Sequence, residues 1–157
     1  MNPKISRAAI ILGSLLVVGS AQATDNQGFQ IHGDQFANHY STDSSCVGRY
    51  TQGTQNKCTE AHWMTLGVTT PYWDGSYAVW VSGNHADTAS TALSFYLYDY
   101  WGTLKKSIVN HAARVSGNWE RGAHFTNDEA RNGYISIMAY VPPNNVGTLY
   151  GAGVYNE

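Results

Sequence analysis

Leu93-Ser94-Phe95-Tyr96-Leu97-Tyr98 is the stretch from which the fold can be read. Successive side chains of a strand point to opposite faces, so Leu93, Phe95 and Leu97 share one face and Ser94, Tyr96 and Tyr98 the other. Tyr134-Ile135-Ser136-Ile137-Met138-Ala139-Tyr140-Val141 repeats the pattern, with Ile135, Ile137, Ala139 and Val141 facing inward and both tyrosines facing away. Tyr77, Val79 and Val81 likewise oppose Ala78 and Trp80, and Met64, Leu66 and Val68 share a face with His62.

Turn residues separate these runs. Asp74-Gly75 predicts a hairpin between the segments around Leu66 and Val79, Trp101-Gly102 a reversal between Tyr98 and Leu104, and Asn132-Gly133 the opening of the next strand. Pro142-Pro143-Asn144-Asn145 precedes a last strand, Thr148 to Tyr155, in which Gly151 and Gly153 mark a bulge or a close backbone approach. Val81-Ser82-Gly83-Asn84 and Val115-Ser116-Gly117-Asn118 echo each other without matching flanks, and read as two similar strand-to-turn exits. Helical pattern is confined to Asp87 to Ala92 and to one capped turn over 127–131. Short strands with frequent turns predict an all-β fold, an antiparallel β-sandwich or jelly roll.

Composition agrees. The chain has 157 residues, 43% hydrophobic but only 13% charged, with 16 Gly and 11 Tyr in place of the Lys, Glu and Leu that long exposed helices need. That excludes a disordered chain and a multi-domain enzyme.

The first 23 residues have the grammar of a secretory signal: a basic start at Lys4 and Arg7, an apolar run from Ala8 to Val18, and Ala21-Gln22-Ala23 before the expected cleavage. The remainder, 24–157, is expected to form one domain, secreted to the periplasm or the exterior, without a transmembrane anchor. Loss of Lys4 and Arg7 leaves seven basic residues against eleven acidic ones, a net charge of −4. Nucleic-acid binding is disfavoured, because neutralising phosphates needs a basic stripe and the only adjacent basic pair is Lys105-Lys106.

Cys46 and Cys58 both follow the leader, and an oxidising compartment makes a disulfide between them the expectation. Six histidines raise a metal reading, with His32-Gly33-Asp34 plus His39 and His85-Ala86-Asp87 as close sets. Neither is a closed ligand set, so no metal and no cofactor is assigned, and solvated loop histidines are expected. Enzyme signatures are thin and the reading leans away from an enzyme: there is no G-x-S-x-G elbow and no phosphate loop. Glu60, Asp74, Asp99, Glu120, Asp128 and Glu129 are the carboxylates a glycosidase would draw on, with a buried pair near Trp119 and Glu120 worth locating.

All five tryptophans and all eleven tyrosines lie beyond the leader. Tyr96, Tyr98 and Tyr100 share one parity, about 7 Å apart along a strand, and form an aromatic ladder opposite the apolar face. Flat rings suit the C–H faces of sugars while neighbouring amides and carboxylates read hydroxyls. The expected site is therefore Tyr96, Tyr98, Tyr100 and Trp101 with Asp99 and Asn118 as polar readers, its ligand a glycan or other cell-envelope molecule, and the protein a non-catalytic recognition module. Two alternatives use the same rings: an inhibitor or effector docking on a protein partner, and a membrane-active β protein anchored by Trp73 and Trp101.

Overall fold

The computed structural model describes residues 28–39, 45–70, 76–126, 129 and 133–156. The expected signal sequence and its cleavage point, the Asp74-Gly75 turn and most of the 127–131 segment lie outside the described residues. Nine strands run in chain order: β1 Gly28–His32, β2 Ala37–Asn38, β3 Val47–Tyr50, β4 Gly53–Asn56, β5 His62–Thr69, β6 Tyr77–Tyr98, β7 Leu104–Phe125, β8 Tyr134–Val141 and β9 Gly147–Asn156. All pairings are antiparallel.

The architecture follows from one long hairpin. β6 and β7, each 22 residues, pair from Tyr77 opposite Phe125 to Tyr98 opposite Leu104, with register breaks between His85 and Ala89, Leu93 and Phe95, and Leu97 and Tyr98. Bulges bend a strand and increase its twist. On its other edge β6 changes partner at the first of these breaks: Tyr77–His85 pairs with β9, and Ala92–Tyr98 pairs with β8. The two halves of the hairpin thus belong to two sheets. The first has the order β2, β5, β8, β6, β7; the second has β3, β4, β9, β6, β7, with β1 also on β9. The fold is an antiparallel β-sandwich.

The core lies between the sheets. Leu93, Phe95, Leu97, Ile135, Ile137, Ala139, Val141, Met64, Leu66 and Val68 come from the first sheet; Tyr77, Val79, Val81, Ala123, Phe125, Leu149 and Val154 come from the second, and all belong to one buried cluster. On β5, β6 and β8 these are the inward sets that strand alternation assigns; on β9 the register shift between Ser82 and Gly83 brings Leu149 and Val154, of opposite parity, to the same side. Each buried Leu, Ile, Phe or Val contributes roughly 1.5–3 kcal/mol of transfer free energy.

Some local expectations are corrected. The segments around Leu66 and Val79 do not form a hairpin, because β5 pairs with β2 and β8 while that part of β6 lies in the other sheet. Residues 87–92, which had helical composition, are strand at the bend of β6, where pairing with β7 and β8 outweighs propensity. The two Val-Ser-Gly-Asn stretches are not strand exits: they lie inside β6 and β7 and meet across the hairpin, with Asn84 opposite Asn118. The Trp101-Gly102 reversal is present, with Gly102 at φ 82°, and Asn144 and Asn145 adopt φ 57° and 59° in the turn before β9.

Cys46 and Cys58 form the expected disulfide. The loop it closes is organised by Asn56, which is fully buried and satisfied: its Nδ2 donates to the carbonyls of Glu60 (2.6 Å) and Val141 (3.1 Å), and its Oδ1 accepts from Cys58 N–H (3.0 Å).

Candidate functional site: an aromatic outer face

Register places the rings. On the outer face of the first sheet, Trp63 lies opposite Tyr140, and Tyr140 opposite Ala92. Two rows away, Gly67, Ser136, Tyr96 and Ser107 lie across four strands, and the next row holds Thr69, Tyr134, Tyr98 and Leu104. Five aromatic side chains therefore stand on one face, over roughly 20 Å along the strands.

The rings are paired at both ends of the face. Trp63 and Tyr140 have centroids 4.9 Å apart at a 42° tilt; Tyr98 and Tyr134 stack at 4.8 Å and 13°. Tyr134 and Tyr140 are exposed, and Trp63, Tyr96 and Tyr98 are half-buried beside them. Between the two pairs a row of Thr65, half-buried Met138 and buried Ser94 crosses the face, and one row on, beside Tyr96, the floor drops at Gly67, which is exposed and on which a built Cβ would find nothing within 4 Å. Cross-strand aromatic pairs of this kind stabilise by about 0.5–1.5 kcal/mol beyond burial and hold their rings fixed.

The rest of the expected site divides. Tyr100 and Trp101 sit at the tip of the β6–β7 hairpin, 74% and 86% exposed, in an edge-on pair with centroids 5.2 Å apart. Asp99 builds that tip. Its Oδ1 accepts from Trp101 N–H (2.9 Å) and Thr103 N–H (2.8 Å), and its Oδ2 pairs with Lys105 Nζ at 2.9 Å. The Lys105 ammonium and the two amides hold its carboxyl below the usual range, so Asp99 acts as a structural anchor for the two exposed rings. Asn118 stands apart from the tyrosines, on the β7 segment of the second sheet, where its Oδ1 accepts from Asn84 Nδ2 at 2.7 Å. Sequence reasoning left Trp63, Tyr134 and Tyr140 out of the site; the period of two that put Met64, Leu66 and Val68 inward already assigns Trp63 to the outer face.

Other candidate chemistry takes structural roles. His85, expected in a solvated loop, is 1% exposed: Nδ1 faces the Val115 carbonyl at 2.8 Å and Nε2 the Thr91 hydroxyl at 2.8 Å. A carbonyl only accepts, so Nδ1 donates to it and Nε2 accepts the hydrogen bond of the Thr91 hydroxyl, which leaves no lone pair for a metal. His62 Nε2 lies 3.4 Å from Cys46 Sγ, and Cys46, Cys58 and His62 bring three ligand atoms within 4.8 Å, but the disulfide occupies both sulfurs. Glu120 is exposed and belongs to no buried carboxylate pair beside Trp119, and no carboxylate among the described residues is buried. Glu129 accepts from Lys106 Nζ at 2.9 Å and from Thr126 N–H at 3.0 Å, which lowers its pKa. No helix among the described residues is long and apolar enough to cross a membrane.

No protein-family model matches the sequence, and no curated protein matches it. Solved structures do. The chain is similar to the CBM36-1 domain of a multidomain xylanase from the hindgut metagenome of Trinervitermes trinervoides, at 9% identity and a TM-score of 0.51, covering 83% of this chain and 98% of that one. It is similar to the xylan-binding module CBM15 at 9% identity and a TM-score of 0.52, over 83% and 97% of the two chains. It also resembles part of an isomalto-dextranase of Arthrobacter globiformis solved with panose, at 10% identity and a TM-score of 0.50, over 81% of this chain and 23% of that one. At these identities the likeness is one of fold: this chain has the β-sandwich of those modules.

Proposed function

We propose that the protein is an exported, non-catalytic module that binds glycan on the aromatic outer face of its first sheet. One observation carries the reading: two preformed ring pairs, Trp63 with Tyr140 and Tyr98 with Tyr134, flank a low floor at Gly67, beside Tyr96. Rings fixed before binding lose little entropy when a sugar stacks on them, and Ser136, Ser107 and the tyrosine hydroxyls supply hydrogen-bond partners at the same level. The fold shared with a xylan-binding module makes xylan the first polymer to try. Export is supported by the leader grammar of 1–23 and by the disulfide.

The test uses tryptophan fluorescence with soluble xylan, mixed-linkage β-glucan and a glycan array. Ligand should change the emission, and Tyr98→Ala with Tyr140→Ala, which removes one ring from each pair, should weaken the response while the far-ultraviolet circular dichroism is preserved. If correctly oxidised protein gives no signal on the array and is not pulled down by insoluble polysaccharides, glycan recognition is wrong. The exposed Tyr100–Trp101 tip would then direct attention to a protein partner.

A further inference from the structure

The second sheet carries its own ordered set of side chains on the face turned away from the core. Gln55 lies opposite Thr148, Thr148 opposite Asn84, and Asn84 opposite Asn118, so four polar side chains point the same way across β4, β9, β6 and β7. They are tied in pairs: Gln55 Nε2 donates to Thr148 Oγ1 at 2.7 Å, and Asn84 Nδ2 donates to Asn118 Oδ1 at 2.7 Å. Both amide N–H groups of Asn118, and one N–H with the carbonyl oxygen of Gln55 and of Asn84, remain over. The ladder thus offers both donors and acceptors, which hydroxyls, able to act as either, can satisfy.

Hollows open on either side of it. One, of about 730 Å³, is bounded by Arg49, Tyr50, Gln55 and Thr148; the other, of about 410 Å³, by Ser82, Asn118, Glu120 and Tyr150. Four residues before Asn84 on the same face stands Trp80, between Gly153 of β9 and Gly122 of β7. A Cβ at Gly153 would come within 2.5 Å of the indole Cε2 and Cζ2, so only glycine lets the ring lie over the neighbouring strand with its other face outward. The face therefore combines a flat aromatic with uncharged hydrogen-bonding groups. Its charges are mixed, Arg49 against Asp34 and Glu120, which does not suit a polyanion.

We infer that this face is a second oligosaccharide-binding surface, and that the sandwich holds two sugar chains on opposite sides and bridges them. The inference rests on the glycan reading of the first face and adds a ligand to the other side. Bridging gives avidity that neither face has alone, of the order of a hundredfold or more.

The experiment compares four proteins: wild type, the first-face variant Tyr98→Ala with Tyr140→Ala, the second-face variant Asn84→Ala with Asn118→Ala, and the quadruple variant. Each is run in native gels containing soluble xylan or mixed-linkage β-glucan and mixed with beads coated with the same polymers. Wild type should be retarded and should agglutinate beads; each single-face variant should stay retarded, more weakly, and lose agglutination; the quadruple variant should do neither. If the first-face variant is no longer retarded, or the second-face variant agglutinates beads as wild type does, the second surface is wrong and the first-face reading stands. Wild type that is retarded without agglutinating overturns bridging, and wild type not retarded at all overturns both readings. Should Asn84→Ala with Asn118→Ala fail to fold, Gly153→Val, which displaces Trp80, replaces it with the same expected outcomes.

Discussion

Phe95 and Tyr98 lie three residues apart on β6 and on opposite faces, so exchanging each for alanine measures which face is core. Phe95 is completely buried, between Ile137 on β8 and Ile108 on β7. Truncating it removes a ring from a packed interior and leaves a cavity, for a cost of roughly 3–5 kcal/mol. Tyr98 is half-exposed and gives up mainly its stack on Tyr134. That is an aromatic pair of about 0.5–1.5 kcal/mol, plus a modest loss of buried area. In a domain of this size 1 kcal/mol moves the melting temperature by about 4 °C, so Phe95→Ala should lower it by about 15 °C and Tyr98→Ala by about 4–8 °C. Differential scanning calorimetry on oxidised protein, supported by urea titration with an unchanged m-value, gives both numbers. A larger loss for Tyr98→Ala would mean that the ladder faces inward, and the site built on it would fall with the face assignment.

Cys58→Ala should cost about 3 kcal/mol, from the loop-closure entropy of a 12-residue separation, read as a shift of the urea midpoint. Gly67→Val should leave the melting temperature unchanged or slightly raised, because a strand favours the β-branched side chain and the space above Gly67 is open, yet it should weaken glycan binding by raising the floor between the ring pairs. Acid should loosen the hairpin tip: the Lys105 ammonium and the Thr103 and Trp101 amides hold Asp99 below its ordinary value, so its contribution is present above that value and is lost as the pH falls through the lowered one. Trp101 emission at low pH follows this, and Asp99→Asn should abolish the transition. Mass spectrometry of exported protein should find Thr24 as the first residue; retention of Met1 would refute the leader reading.

Much of this protein is local in origin. The inward sets around Leu66, Val79, Phe95 and Ile137, the outward tyrosines, the Gly102 turn and the Cys46–Cys58 bridge all follow from a period of two, from φ preferences and from compartment chemistry, which act over a few residues and need no knowledge of the fold. What tertiary structure decided is partnership. No local rule says that β6 changes neighbour from β9 to β8 at a bulge, and that change separates Asn118 from Tyr98 although both lie on the same hairpin. Pairing across distant segments also brings Trp63 beside Tyr140 and Tyr134 beside Tyr98, which turns single outward rings into fixed pairs. It also buries His85 against the Val115 carbonyl, 30 residues away, where sequence expected a solvated loop. Strand alternation determines the direction a side chain points; only the register between strands determines what it meets there.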